Sequence, residues 1–169
     1  MYIRLKKRLS KKGVSDYAYE AKNIRTKKGP RQKVVSYLGK VHPLENNNLI
    51  LTFYLSTDDI QSYFEKKRLS DVVKELLIFE LIRHGFSKTN DILIKGDFTV
   101  NIDDKTVKYS GVENIVLSLN KGYLCSKTLK KCFKDIENAS ETQQLIKSLL
   151  LIGLNPNEDT FTKIFSGKI

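Results

Sequence analysis

Three extended stretches separated by glycine turns fill residues 1–40 and set how this fold must begin. Tyr2 to Arg8 alternates, with Ile3 and Leu5 on one face and Arg4, Lys6 and Arg8 on the other. That period of two belongs to a half-buried strand. Ser10-Lys11-Lys12-Gly13 reads as a turn, because Gly13 is free to take positive φ. A second strand is expected from Tyr17 to Arg25, with Tyr17, Tyr19 and Ala21 on a common face. Lys27-Lys28-Gly29-Pro30 is the next turn, since Pro30 lacks an amide donor and Gly29 is permissive. Arg31 to Leu38 follows as a third strand, rich in the β-formers Val34, Val35 and Tyr37. The expectation is a three-stranded antiparallel meander. A lone sheet of that size is marginal, so one of its faces should pack against something else.

The same segment holds the whole charge imbalance of the chain. Residues 1–40 carry thirteen basic side chains against Asp16 and Glu20, a net +11, while residues 41–169 balance seventeen basic against seventeen acidic side chains. A concentrated basic segment implies a polyanionic partner, and nucleic acid is the commonest one. Arg offers a planar fork that matches phosphate oxygens or a guanine edge. A small ribbon of strands can enter a major groove, and exposed Tyr rings can stack on unpaired bases. The expected contacts are Arg4, Lys6, Arg8, Lys11, Lys12, Lys22, Arg25, Lys27, Lys28, Arg31, Lys33 and Tyr37, with the two lysine turns the firmest among them. Tyr17 and Tyr19 suit a small core better than a stacking platform. The competing readings of the charge are a merely soluble sheet whose lysines discourage edge pairing, a membrane surface and an acidic protein.

The run from Tyr17 to Gly39, with its Arg31-Gln-Lys-Val-Val-Ser-Tyr-Leu-Gly39 ending and the preceding Met1-Tyr-Ile-Arg-Leu-Lys-Lys, resembles the N-terminal segment of certain bacterial and archaeal insertion-sequence transposases. The resemblance covers about the first quarter of the chain. It implies a DNA-binding accessory region carried by Arg31, Gln32, Lys33, Tyr37, Leu38 and Gly39. The large catalytic domain of such transposases finds no room in residues 41–169, so the resemblance supports binding and not transposition. The Lys-, Ile- and Asn-rich usage suits an AT-rich genome, archaeal or viral.

Val41 to Asn48, with Pro43 and three consecutive asparagines, reads as a linker between a basic module at 1–40 and a body at 49–169. Removing the module is then expected to abolish binding and leave a folded body. The body should open with a strand at 49–55 and a helix capped by Ser56 that runs to Lys67. Ser70 should cap a second helix from Asp71 to His84, closed by Gly85. Strands are expected at 91–95, 98–102, 106–109 and 115–119, and then helices at 127–137 capped by Ser126, at 141–152 capped by Ser140, and at 156–165 capped by Asn155. The fold class is α+β, with short antiparallel strands and about five helices. The helices at 71–84 and 141–152 are rich enough in apolar residues to supply either the core or an interface with a second copy or another protein.

Catalytic signals are few. The acid pairs Asp58/Asp59, Asp103/Asp104 and Glu158/Asp159 fall in expected helix first turns and a hairpin turn, where carboxylates have local reasons to be. Cys125 and Cys132 suit small core positions, and neither His42 nor His84 has a nearby nucleophile. No catalytic residue, metal or cofactor is therefore expected. No apolar run reaches the roughly 18 residues that a membrane span needs, and the N-terminus lacks an apolar signal region, so a cytoplasmic location is expected. The leading expectation is a non-enzymatic nucleic-acid-binding protein, with DNA favoured. The alternatives are an RNA- or ribosome-associated factor, and a small metal-dependent nuclease or truncated transposase relative.

Overall fold

The computed structural model describes residues 2–10, 13–45, 67–138 and 142–155. The chain is α+β. Tyr2–Ser10 (β1), Gly13–Thr26 (β2) and Gly29–Pro43 (β3) form the expected antiparallel meander. The meander is not a sheet of its own. Beyond Gly39, β3 pairs in parallel with Ile115–Leu119 (β8), Lys40 opposite Ile115 and Pro43 opposite Ser118, and β8 pairs with Gly122–Leu124 (β9). The resulting order is β1-β2-β3-β8-β9. Residues 41–43, expected as the start of a linker, are thus the end of β3. The physical reason is the one that makes a three-stranded sheet marginal: its open edge needs a neighbour, and the body supplies β8.

Gly39 makes the junction possible. Its φ is +144°, and a Cβ there would lie 2.5 Å from the backbone of Asn114 and Ile115. Only a residue without a side chain lets the two strands close at this point.

Between β3 and β8 the chain makes the helix Leu69–Arg83 (α1) and a second antiparallel sheet of Ser87–Thr89 (β4), Ile92–Lys95 (β5), Phe98–Asn101 (β6) and Thr106–Tyr109 (β7). Two more helices, Ser126–Asn138 (α2) and Thr142–Leu151 (α3), follow β9. The described residues contain three helices, not the expected five. The helices expected after Ser56 and Asn155, and the strand at 49–55, lie outside the described residues.

Several expected caps are corrected. Ser70 lies inside α1, which begins one residue earlier with Arg68 as N-cap and the Arg68 Nε donating to Asp71 at 3.0 Å. Ser126 does not cap α2 either. Its hydroxyl accepts the Val107 amide at 2.9 Å, while Thr128 Oγ1 accepts the Cys125 amide at 2.9 Å, one half of a capping box. The expected Ser140 cap lies outside the described residues. At the other end of α1, Gly85 N donates to Ile82 at 2.9 Å and Phe86 N to Leu81 at 3.0 Å, the paired bonds of a Schellman motif around the glycine. Strands β4 and β9 are hidden from the pattern because each is only three residues long. The β8–β9 turn takes positive φ at Asn120 and Lys121, as a two-residue hairpin of type I′ requires.

One core joins these elements. Val73, Leu77 and Leu81 of α1 pack with Leu93, Val100 and Val107 of the small sheet, Leu117 and Leu119 of β8, Leu129 of α2, and Leu149 of α3, all fully buried. Val72, Val73, Leu76, Leu77 and Leu81 of α1 are buried, and Leu69, Ile78 and Ile82 pack partly buried against the same core. A smaller cluster of Ala18, Leu38, Val116 and Cys125, flanked by Ile3, Val41 and Tyr123, fastens one face of the meander to the body. Ile3 lies on that face as the alternation marks, whereas Leu5 is 38% exposed.

Candidate nucleic-acid interface

The register of β2 on β3 decides where the basic residues go. Among the described residues β1 pairs as far as Tyr2, opposite Ala21, and β8 reaches β3 only from Lys40. Residues 22–33 therefore pair only with each other, Lys22 opposite Lys33 and Ile24 opposite Arg31, as a two-stranded arm with no neighbour on either edge among the described residues. Five residue pairs at about 3.3 Å each give an arm of roughly 15 Å. It carries Lys22, Arg25, Lys27, Lys28, Arg31 and Lys33 and no acid. All six are exposed. The tip is held by Thr26, whose hydroxyl donates to the Gly29 carbonyl at 2.7 Å and accepts the Lys28 amide at 3.3 Å. Gly29 takes φ +101°. The lysine side chains at the tip are thus left out of the turn's own bonding.

Arg4, Lys6 and Arg8 form a second group, on the meander face away from the body. They stand opposite Tyr19, Tyr17 and Ser15 on β2. Two bulges in β3 bring Tyr37 to the same place: Tyr19 pairs with Tyr37 although Ala18 pairs with Gly39, and the extra residue Leu38 turns into the core. The Tyr37 ring lies 5.3 Å from Tyr19 and 6.4 Å from Tyr17. Lys6 Nζ sits 4.9 Å above the Tyr19 ring and the Arg8 guanidinium 5.0 Å above that of Tyr17. Arg8 also donates to the Tyr19 hydroxyl at 2.9 Å. Tyr19 is buried by these neighbours, whereas Tyr37 is 47% exposed and Tyr2, on the same face, 48%. Burial, then Tyr17 and Tyr19, push the Tyr37 phenol above its usual range.

The two acids of the basic segment are withdrawn from this surface. Glu20 pairs with Lys127 of α2 at 2.5 Å and accepts from Ser36 at 3.1 Å. The hydrogen bond from Lys127 holds its carboxyl below the ordinary value, against the opposing effect of burial. Asp16 is half-buried. Among the described residues no ion pair includes a basic side chain of β1, β2 or β3. Lys11 and Lys12 lie outside the described residues.

The expected contacts thus fall into two places, an arm and a tyrosine-cation face. The arm's separateness was not legible, because it depends on where β1 and β8 stop. Tyr2 was missed as a member of the face, although its alternation with Arg4 and Lys6 signals it.

Residues weighed for chemistry have structural places. Cys125 and Cys132 are buried and free, and burial, then Asp135, pushes the Cys132 thiol up to about 12. His42 is in β3, its ring 5.1 Å from Phe98 and 5.4 Å from Tyr109. His84 is buried with Nδ1 3.0 Å from the Glu45 carbonyl. Asp103 pairs with Lys74 at 2.7 Å, and Asp104 accepts from Asn101 at 2.7 Å; Asp58, Asp59, Glu158 and Asp159 lie outside the described residues. Among the described residues no three His, Cys, Asp or Glu side chains gather as a metal would require, and no helix is long and apolar enough to cross a membrane. Neither a protein-family model, nor a curated protein, nor a solved structure matches the chain.

Proposed function

We propose that this chain is a non-enzymatic nucleic-acid-binding protein that takes duplex DNA on the arm of residues 22–33. The observation behind the reading is the arm itself: six exposed cations, no acid, and no partner strand among the described residues. A surface strand that only resists aggregation needs a lysine or two on an edge, not a projecting ribbon charged on both strands. A two-stranded ribbon fits the major groove of B-form DNA, which is about 12 Å wide. The A-form groove of RNA is deep and narrow and would exclude it, which favours DNA over RNA. Lys side chains at the tip supply phosphate contacts, and Arg25 and Arg31 supply forks for phosphate or guanine. The likeness of the N-terminal quarter of the chain to the N-terminal segment of insertion-sequence transposases supports the same reading.

The test is a titration of the full chain against duplex DNA, single-stranded DNA and structured RNA of equal length. The expected result is tightest binding to duplex DNA, lost when residues 23–32 are replaced by a two-residue Asn-Gly turn. Preference for structured RNA, or affinity retained without the arm, would refute the proposal. Magnesium-dependent cleavage in the same samples would overturn its non-enzymatic part.

A further inference from the structure

The tyrosine-cation face lies beside the arm and is not explained by duplex binding. Two of its rings, Tyr2 and Tyr37, are about half exposed. The opposite face of the meander is the one fastened to the body by Ala18, Leu38, Val116 and Cys125, and by the pair Glu20–Lys127. Tyr37 remains 47% exposed, with Tyr17 and Tyr19 closing its inner side. Of the cations above Tyr17 and Tyr19, Arg8 is held in place by its bond to the Tyr19 hydroxyl.

An exposed aromatic ring framed by ordered cations suits one ligand chemistry: a flat, electron-rich base attached to a phosphate. In a duplex the bases are stacked on each other and have no face to offer, so the ligand here must be unpaired. Tyr37 and Lys33 belong to the same strand, four positions or about 13 Å apart. A single strand leaving a duplex held on the arm therefore meets Tyr37 within a few nucleotides. Resting on the proposed duplex reading, we infer that the natural ligand is duplex DNA with an adjoining single-stranded segment, whose first unpaired base stacks on Tyr37 while Arg4, Lys6 and Arg8 receive its phosphates.

The experiment compares a blunt duplex with the same duplex carrying a short oligothymidylate extension, by fluorescence anisotropy at fixed salt. Base stacking on an aromatic side chain is worth about 1–3 kcal/mol, so the extension should tighten binding about tenfold. Tyr37→Ala should erase that advantage, and Tyr37→Phe should keep it. A cooperative thermal unfolding transition shows that Tyr37→Ala is folded, and the readout is the ratio of its affinities for the two ligands. Equal affinity of the parent for both ligands would overturn this inference alone. So would a Tyr37→Ala loss that falls equally on both ligands, since that marks a structural role. Failure of the parent to bind any duplex would overturn the duplex reading and this inference with it.

Discussion

Replacing Lys27, Lys28 and Arg31 by Gln removes half of the arm's six cations without touching what holds the arm together. The tip is set by the Thr26 hydroxyl and the backbone of Lys28 and Gly29, which the substitutions leave in place. The three side chains are exposed and lie in no ion pair among the described residues, so stability should move by less than about 0.5 kcal/mol. Each phosphate neutralised contributes about −0.9 to the slope of log K against log salt. Six contacts give a slope of roughly −5, and three give roughly −3. Between about 50 and about 200 mM salt the parent should lose on the order of a thousandfold in affinity, and the variant about fortyfold. The assay is duplex titration at four or more salt concentrations, with thermal unfolding as control. A parent slope near zero would refute arm binding outright. An unchanged slope in the variant would show that these three cations touch no phosphate.

Other consequences follow from the shared sheet. Deleting residues 1–40 should unfold the body rather than release it, because Val116 and Cys125 lose the cover of Ala18 and Leu38, and β8 keeps only the last residues of its parallel partner; a cooperative urea transition in the truncated chain would refute this. Gly39→Ala should cost about 2 kcal/mol or more, since a Cβ meets backbone at 2.5 Å and φ is +144°, and an unchanged urea midpoint would contradict the close strand junction. Burial, then Lys40, lower the His42 pKa below 6.5, so the folded state resists protonation more than the unfolded one. Its contribution to stability is complete above that value and is lost as pH falls through it towards the folded pKa. His42→Phe should flatten the stability profile there, and an NMR titration midpoint at or above 6.5 would refute the shift.

Local pattern made much of this legible. Alternation in Tyr2–Arg8 placed Ile3 on the face packed against the body, because the side-chain period of a strand is a property of the backbone alone, although Leu5 is 38% exposed. Gly13, Gly29 and Gly85 marked their turns and helix end, since each takes a positive φ that other residues resist. The strand at 115–119 and the helix over 71–84 emerged within two residues. The caps misled because Ser70 and Ser126 are plausible by type, while Ser70 falls inside the helix and Ser126 bonds instead to Val107, far along the chain.

The sequence by itself determined the three basic strands, the turns between them and the placement of the whole net charge in residues 1–40. Only the tertiary structure decided that those strands belong to the same sheet as the body. Strand β3 ends at Pro43 and β8 begins at Ile115, and nothing local encodes that they pair. That long-range pairing sets where neighbours end, and so which residues form an arm with no neighbour strand among the described residues. It also sets which face of the meander packs on Val116 and Cys125, leaving Tyr37 and its cations on the opposite face.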